Sequence, residues 1–409
     1  MGGRIVIAGG GMVGISLALA LARQLPEAFE LTLVEGFALP AAGAGSYHPS
    51  FDARSTALSY STRQVFEQLD LWTALAPGAC PIEHIHVSSR GHFGSSLLSA
   101  TEQGWPALGW VVDNGWLGRV LADRLRATPR VRVLSPARCV DALPDGAGLR
   151  LSLEGEAPAE LAADLLVIAD GARSGLRAAL GLGATEKRYG QDALVANLAF
   201  AEDPAGRAFE RFTASGPLAL LPLLPADGAH RAALVWTLPP TQAAALLSAS
   251  AEDFLSALRD AFGYRLGRPL AVGERHSYPL ALVEARETVR RNLVVVGNAA
   301  HALHPVAGQG FNLALRDVHA LADEIARGVA IGAGPGDLAV LQGYQARQAA
   351  DQQRTIVASD LLPGLFMQAD PLIGLARDLA LAGLDVARSL KGGFVRHAAG
   401  MAALEAPRG

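Results

Sequence analysis

At 409 residues the chain is too long to close around one compact core, so two or more subdomains are expected. Half of it is hydrophobic and 18% is charged, which describes a well-buried globular protein and excludes a disordered one. A net charge of −4 argues against nucleic acid as a main partner.

Only two cysteines occur, Cys80 and Cys139, without pairing or metal spacing, which suits a reducing cytoplasm. No charge-free apolar run approaches the roughly 20 residues of a membrane-spanning helix. The N-terminus reads as a strand, not as a signal peptide. Arg4 to Ala8 is that strand; it enters Gly9-Gly10-Gly11-Met12-Val13-Gly14 and then an apolar helix, Ile15 to Leu25. Leu31 to Val34 is a second strand, closed by Glu35, which lies roughly 20 residues beyond the loop. Gly9 allows the tight turn, Gly11 lets backbone approach a pyrophosphate, and Gly14 lets helix and strand pack closely. A pyrophosphate would sit on the helix N-terminus, with Glu35 accepting from ribose hydroxyls. A bare GxGxxG is weak evidence; this one sits at a strand-to-helix junction with its acid in place, which favours dinucleotide binding over a structural glycine turn.

Phe51-Asp52-Ala53-Arg54 leads into a helix with Val65, Leu69 and Trp72 on one face. Arg54 suits a phosphate or a flavin edge, although an isolated arginine is more often a surface or ion-pair residue. Residues 77–110 hold prolines, glycines and His84, His86 and His92; the first two suit one face of a strand better than a metal site, and no metal is expected. A helix over 113–127 stacks Leu117, Leu121 and Leu125, with Arg119 on a different, solvated face. Strands follow at Arg130–Leu134, Leu149–Leu153 and Leu165–Ile168. The last runs into Asp170-Gly171, a turn signal by itself. Past a buried parallel strand the same pair suits a ribitol or ribose hydroxyl.

From Tyr189 to Val283 the texture changes to antiparallel strands, at Leu194–Phe200, Leu218–Leu223, Ala232–Leu238 and His276–Leu282, with one helix at Ala251–Phe262. Leu218, Leu220, Leu221, Leu223 and Leu224 read either as one face of a ligand cavity or as that domain's core. Leu293 to Val296 is again a buried strand, ended by Gly297-Asn298. Pro305, Ala307, Gly308 and Gly310 keep the next stretch non-helical until Asn312, where a helix with Val318, Leu321, Ile325 and Val329 on one face begins. Such a strand, glycine loop and helix start point backbone N–H groups at an anion. Leu338 to Leu362 reads as helix, broken by Pro363-Gly364. Residues 365–390 are helical and apolar, packing on the body, a partner or a membrane surface.

Taken together, the Gly9–Gly14 loop with Glu35, Asp170-Gly171 and Gly297-Asn298 with its glycine loop resemble the flavoprotein aromatic hydroxylases of the para-hydroxybenzoate hydroxylase type. Within them the chain is most similar to the ubiquinone-biosynthesis monooxygenases, in the 2-polyprenyl-6-methoxyphenol hydroxylase branch. Their signature, His-Pro-x-Ala-Gly-Gln-Gly-x-Asn-x-Gly-x-x-Asp, is met by His304, Pro305, Ala307, Gly308, Gln309, Gly310, Asn312 and Asp317. Ala314 stands where a Gly is usual, and Asn298 where the wider superfamily has Asp.

The resemblance implies an α/β fold: a Rossmann-like FAD-binding domain (1–184 and 285–345), an inserted, mainly antiparallel substrate domain (185–284, with 77–110 on the substrate side) and a helical C-terminal region (346–409). It implies FAD held by Gly9, Gly11, Gly14, Glu35, Arg54, Arg119, Asp170, Gly171, Asn298, Gly308, Gln309, Gly310 and Asn312, with His304 and Pro305 on the substrate side. NAD(P)H would visit transiently, since no second GxGxxG occurs. With molecular oxygen the flavin would hydroxylate a polyprenylated phenol through a flavin hydroperoxide. The implied location is cytoplasmic; peripheral contact with the inner membrane or a biosynthetic complex, and a homo-oligomer, are compatible with it. A soluble aromatic substrate, or a non-catalytic scaffold role, is the alternative.

Overall fold

In the computed structural model the first apolar strand, Gly3–Ala8, forms the centre of a six-stranded sheet. The structure describes residues 2–39, 54–90, 95–226, 228–303, 309–367 (backbone alone for 361–367), 392–393, 395–396 and 399–401. Across the sheet the order is Val289–Arg290, Leu293–Val295, Leu165–Ile168, Gly3–Ala8, Phe29–Val34 and Val131–Leu134. All pairs are parallel except the outermost, between Val289–Arg290 and Leu293–Val295. Ile5 lies opposite Leu31 and Leu165, and Ile7 opposite Leu33 and Val167. These strands are apolar at successive positions because both faces are covered. Helices Met12–Gln24, Asn114–Arg126 and Gln309–Ala330 bury Ile5, Ile7, Leu33 and Val167 on one face. A three-stranded antiparallel sheet (Ala137–Asp145, Gly148–Gly155, Glu160–Ala163) buries Val6, Val34, Leu166 and Ile168 on the other.

A second, eight-stranded sheet runs in the order His301–Ala302, Pro269–Ala285, Ala184–Phe200, Ala229–Leu238, Gly216–Ala226, Arg207–Thr213, His84–Ser89 and Ser95–Ser99. His84–Ser89 joins it by parallel pairing with Arg207–Thr213, so this stretch is separated by over a hundred residues from its partner strand. Alternation along the strands divides the sheet into two unlike faces. Leu194, Leu218, Leu220, Leu234 and Trp236 point toward helices Pro240–Ser248 and Ala251–Phe262 and are fully buried with Phe254. Val195, Ala219, Leu221 and Val235 occupy the opposite face and are only half-buried. The apolar series read from the sequence is therefore split, Leu218 and Leu220 being core and Leu221 lying on the open side. A small sheet of Ser55–Ser59, Gly109–Asp113 and Ala79–Ile82 covers part of that open side through Ile82 and Val111.

Three expectations need correcting. The helix expected after Arg54 is preceded by strand Ser55–Ser59 and runs only from Tyr60 to Gln68. Ser59 Oγ caps it by accepting from the Thr62 amide, and Asp70, at φ +54°, turns the chain so that Trp72 starts a separate short helix. The long helix starts at Gln309, not Asn312, so Gly310 is helical: a first-turn amide needs no intrahelical acceptor and glycine costs little there. The helix from Leu338 continues to Met367 through Pro363-Gly364. Proline removes one donor of the ladder, and packing of this helix on strands Gly216–Ala226 and Arg207–Thr213 offsets that loss. Phe51 to Ala53, His92, Asp227, His304, Pro305, Ala307, Gly308 and the apolar section 368–390 lie outside the described residues. Among the described residues no helix is long and apolar enough to cross a membrane.

Phe254 is fully buried on the covered side of the large sheet. Phe254→Ala is expected to cost about 3–5 kcal/mol of stability. Urea denaturation checks this, and flavin titration of the folded variant is expected to give unchanged affinity, because Phe254 packs on the side away from the open face.

Candidate active site

The first site element is built by backbone crowding. Gly9 has φ +116°, and a Cβ on it would lie 2.4 Å from the carbonyl oxygen of Ala169. A Cβ on Gly14 would lie 1.8 Å from the Gly9 carbonyl oxygen. Helix Met12–Gln24 can thus press directly onto the carboxyl edge of the parallel sheet. Gly11 is its N-cap, in extended conformation and without a side-chain cap, so the first-turn amides are left to an external acceptor. Glu35 is buried at the end of the next strand. Its carboxylate accepts from the backbone amide of Gly10 and, at 2.9 Å, from that of Phe37. The acid read as a ribose ligand therefore also clamps the glycine loop. A carboxylate has about four acceptor sites, so the two roles are compatible.

The second element follows strand Leu165–Ile168. Asp170 is solvent-exposed as a residue, yet protein crowds its carboxyl. That crowding raises its pKa above the usual carboxylate value, opposed by the Ser174 hydroxyl, by backbone amides and by Arg177. Gly171 follows with φ +92°. Sequence reading overlooked the residue that fixes this loop, Arg177, whose guanidinium is buried and donates to the carbonyl of Ala299 and, at 3.4 Å, to that of Ala172. It ties the Asp170 loop to the turn Gly297–Ala299. Its signal in the sequence was only an arginine in an otherwise apolar short helix, Gly175–Ala179.

The third element is that turn. Gly297 has φ +63° and a Cβ there would meet Val13 Cγ1 at 3.1 Å, so the turn abuts the start of the first helix. Asn298 is exposed, and its Oδ1 lies 4.0 Å from where a Cβ on Gly310 would be. Asn298 and the start of helix Gln309–Ala330 therefore face each other. Gln309 and Gly310 present first-turn amides there, half-buried. Asn312 is different: its side chain is committed to protein. Oδ1 accepts from the Ser59 amide at 2.8 Å and the Thr62 hydroxyl at 2.7 Å, while Nδ2 donates to the Ala57 carbonyl at 2.9 Å. That side chain ties the first turn of the long helix to the Ser59 corner.

A buried polar pair braces this region. His301 Nε2 lies 3.2 Å from Asp317 Oδ2, and Gln352 Nε2 donates to the other oxygen of Asp317 at 2.9 Å. His301 precedes the glycine stretch and Asp317 follows it, so the pair closes both ends of that stretch; Asp317 was visible in the signature, His301 and Gln352 were not singled out. Two expected residues lie apart from these loops. Arg54 places its guanidinium over the Tyr278 ring, 4.9 Å from its centroid, at the open face of the large sheet. Arg119 is exposed, stacked on Trp116 at 5.1 Å. His84 and His86 are on one face of their strand, each with a buried Nδ1 that has no hydrogen-bond partner among the described residues, and His86 packs on Phe209. Among the described residues no group of three or more His, Cys, Asp or Glu could hold a metal ion.

Residues 4–359 match the model of the FAD binding domain family. The chain is 34% identical to the ubiquinone hydroxylase UbiL of Rhodospirillum rubrum, over 99% of this chain and 91% of that one. The chain belongs to the FAD-binding ubiquinone-biosynthesis hydroxylases. It is also 32% identical to the 3-demethoxyubiquinol 3-hydroxylase of Escherichia coli, over 97% of this chain and 98% of that one. The crystal structure of p-nitrophenol 4-monooxygenase PnpA from Pseudomonas putida DLL-E4 superposes with a TM-score of 0.76 over 100% of this chain and 99% of that one, at 18% identity, a likeness of fold. The fold is thus the flavoprotein hydroxylase fold, and the cofactor of the family is FAD. The residues present suit that cofactor: an uncapped helix N-terminus for pyrophosphate, and a crowded but accessible carboxylate, Asp170, for a hydroxyl.

Asp170 gives a test with two signs. A carboxyl whose folded pKa is raised weakens the fold when ionised, so its cost is absent at low pH and develops as pH rises through the folded value. Asp170→Asn apoprotein is therefore expected to melt higher than the parent at neutral pH, with no difference in acid. The same variant is expected to bind FAD roughly 10-fold more weakly, having lost a charge-assisted acceptor. Calorimetry of the apoprotein and fluorescence titration with FAD check the two halves.

Proposed function

We propose that this chain is an FAD-dependent monooxygenase that hydroxylates the ring of a polyprenylated phenol in ubiquinone biosynthesis, using NAD(P)H and molecular oxygen. The observation that carries the reading is the meeting of three loops, Gly9–Gly14, Asp170–Gly171 and Gly297–Asn298, at one sheet edge that Arg177 locks. In the proposal the first-turn amides after Gly11 hold the pyrophosphate, Glu35 the ribose and Asp170 and Asn298 the ribitol side. The first-turn amides of Gln309 and Gly310 stabilise negative charge at the flavin ring, with Asn312 holding the helix start in place. When bound, FAD supplies the redox chemistry, taking reducing equivalents from NAD(P)H and activating oxygen. The protein's part is to orient the ring and exclude water from it. We assign residues 1–184 and 285–345 to the FAD domain and 185–284 with 77–110 to the substrate domain, a division supported by strand pairing.

A prenyl tail is supported by the half-buried apolar wall of Val195, Ala219, Leu221 and Val235. Peripheral contact with a membrane, from which such a substrate would be drawn, is part of the same proposal. Each buried methylene contributes about 0.8 kcal/mol, so one isoprene unit raises affinity by one to two orders of magnitude until the wall ends. Phenol-dependent NAD(P)H oxidation against tail length tests it. The expected outcome is a steep rise in kcat/KM with the first isoprene units; equal efficiency and coupling with a tail-less methoxyphenol would give the chain a soluble aromatic substrate instead. Separately, Gly11→Val is expected to fold and to abolish FAD retention, read from the visible spectrum of the purified variant, because a branched side chain enters the pyrophosphate path.

A further inference from the structure

The open face of the large sheet carries an acid that the described site does not use. Glu210, on strand Arg207–Thr213, pairs with Ala219 on one side and Val87 on the other. Ala219 continues the row to Val235, then Val195, then His276. All of these are half-buried, whereas Phe209 and Arg211, the neighbours of Glu210 along its strand, point to the covered face. The adjoining row, Ala208, Leu221 and Ala233, packs with Ile82 and Val111 of the small sheet, which puts Glu210 at the edge of the covered area. On the other side of the row, Tyr278 carries the guanidinium of Arg54. Glu210 thus sits in an apolar strip between the small sheet and the Arg54–Tyr278 contact.

Its carboxyl has no hydrogen-bond or ion-pair partner among the described residues. The charged groups around it are engaged elsewhere. Arg211 donates to the carbonyl of Ala261; Asp113, on the small sheet, pairs with Ser55 and Arg231; His276 lies 3.7 Å from Glu274. On the C-terminal helix, Asp360 is held by Lys187 and Tyr189. An acid left half-accessible and unpaired in an apolar wall is costly, and such a position is where a protein keeps a group for a ligand.

We propose that Glu210 accepts the proton of the substrate's ring hydroxyl and so holds that ring on the open face of the large sheet. This rests on the ring-hydroxylase reading. In the step the ring O–H bond breaks, its proton moves to a carboxylate oxygen of Glu210 and the electron pair stays on the ring oxygen, raising electron density at the ortho and para carbons. One atom of O2 is inserted there and the other leaves as water, with NAD(P)H as the reductant. The attacked carbon then gives up its hydrogen as a proton to the departing oxygen that leaves as water, and Glu210 returns its own proton to the ring oxygen. Burial in apolar surroundings pushes the carboxyl up to about 7, between an ordinary carboxylate and a phenol, which suits reversible transfer.

The test uses the FAD-loaded enzyme, NADH or NADPH, oxygen and a geranyl-bearing methoxyphenol, measuring product-coupled kcat/KM against pH. The parent is expected to gain activity as pH rises through about 7. Glu210→Gln is expected to lose roughly 100-fold in kcat/KM and that limb of the profile, while keeping FAD content and flavin reduction and melting no lower than the parent. Glu210→Asp is expected to keep a limb displaced in pH from the parent's, at reduced rate. A Glu210→Gln enzyme with an unchanged profile and a rate within a few-fold of the parent overturns the proposal. If Glu210→Gln fails to fold, Glu210→Asp decides: a displaced limb supports the role, an identical one overturns it. A parent enzyme that hydroxylates no phenol would instead sink the ring-hydroxylase reading, a result distinct from either.

Discussion

The structure depends on how closely the first helix can approach the edge of the parallel sheet. The Gly9 carbonyl oxygen occupies the space that any side chain on Gly14 would need. With that space clear, helix Met12–Gln24 delivers its uncapped amides to the sheet edge, and the other loops are arranged around this contact. Ala169 packs so closely on Gly9 that the Asp170 loop starts at a fixed height, and Gly297 rests on Val13 of the same helix. Arg177 then joins the two later loops by donating to a carbonyl of each. Backbone proximity positions the site, and the side chains select what it binds.

The large sheet solves a different problem. Its covered face is packed like an ordinary core, with Phe254, Trp236 and Leu218 under the two helices. Its open face has small and branched side chains that are neither fully buried nor fully wet. Period-two alternation lets the same strand serve both faces, so a run such as Leu218 to Leu223 contributes to stability and to the cavity wall at once. One cost of this arrangement is a carboxyl at Glu210 in apolar surroundings.

Much of this was legible in the sequence because local rules dominate at strands, glycine turns and helix starts. The strand at Leu165–Ile168 and the helix at Ala251–Phe262 coincide with the periodicity, and the Gly9–Gly14 loop has the predicted setting. What was not legible depends on tertiary partners. The strand Arg207–Thr213 holds Glu210 and Arg211 side by side and looks too polar for a sheet interior until both of its neighbours are known. His84–Ser89 finds its partner far along the chain, which no local window can report. Asn312 read as a ligand because of the signature around it; no local pattern told that its side chain also fastens the Ser59 corner to the long helix. The helix past Pro363 shows the same limit, since packing against strands decides what a local breaker does.

The parallel pairing of His84–Ser89 with Arg207–Thr213 also sets an order of events for a growing chain. The strands at residues 84–99 leave the ribosome long before the sheet they belong to exists. The parallel sheet has to wait as well, because Leu293–Val295 joins it only after every strand of the large sheet but the short His301–Ala302 has been made. Both sheets are thus closed by segments from far apart, a topology that folds slowly and leaves apolar strand edges exposed in the interim. The final loop, carrying Asn298 and the start of helix Gln309–Ala330, arrives last of all, so the complete cofactor edge comes into being only near the end of synthesis. Neither half of the chain holds all the strands of either sheet.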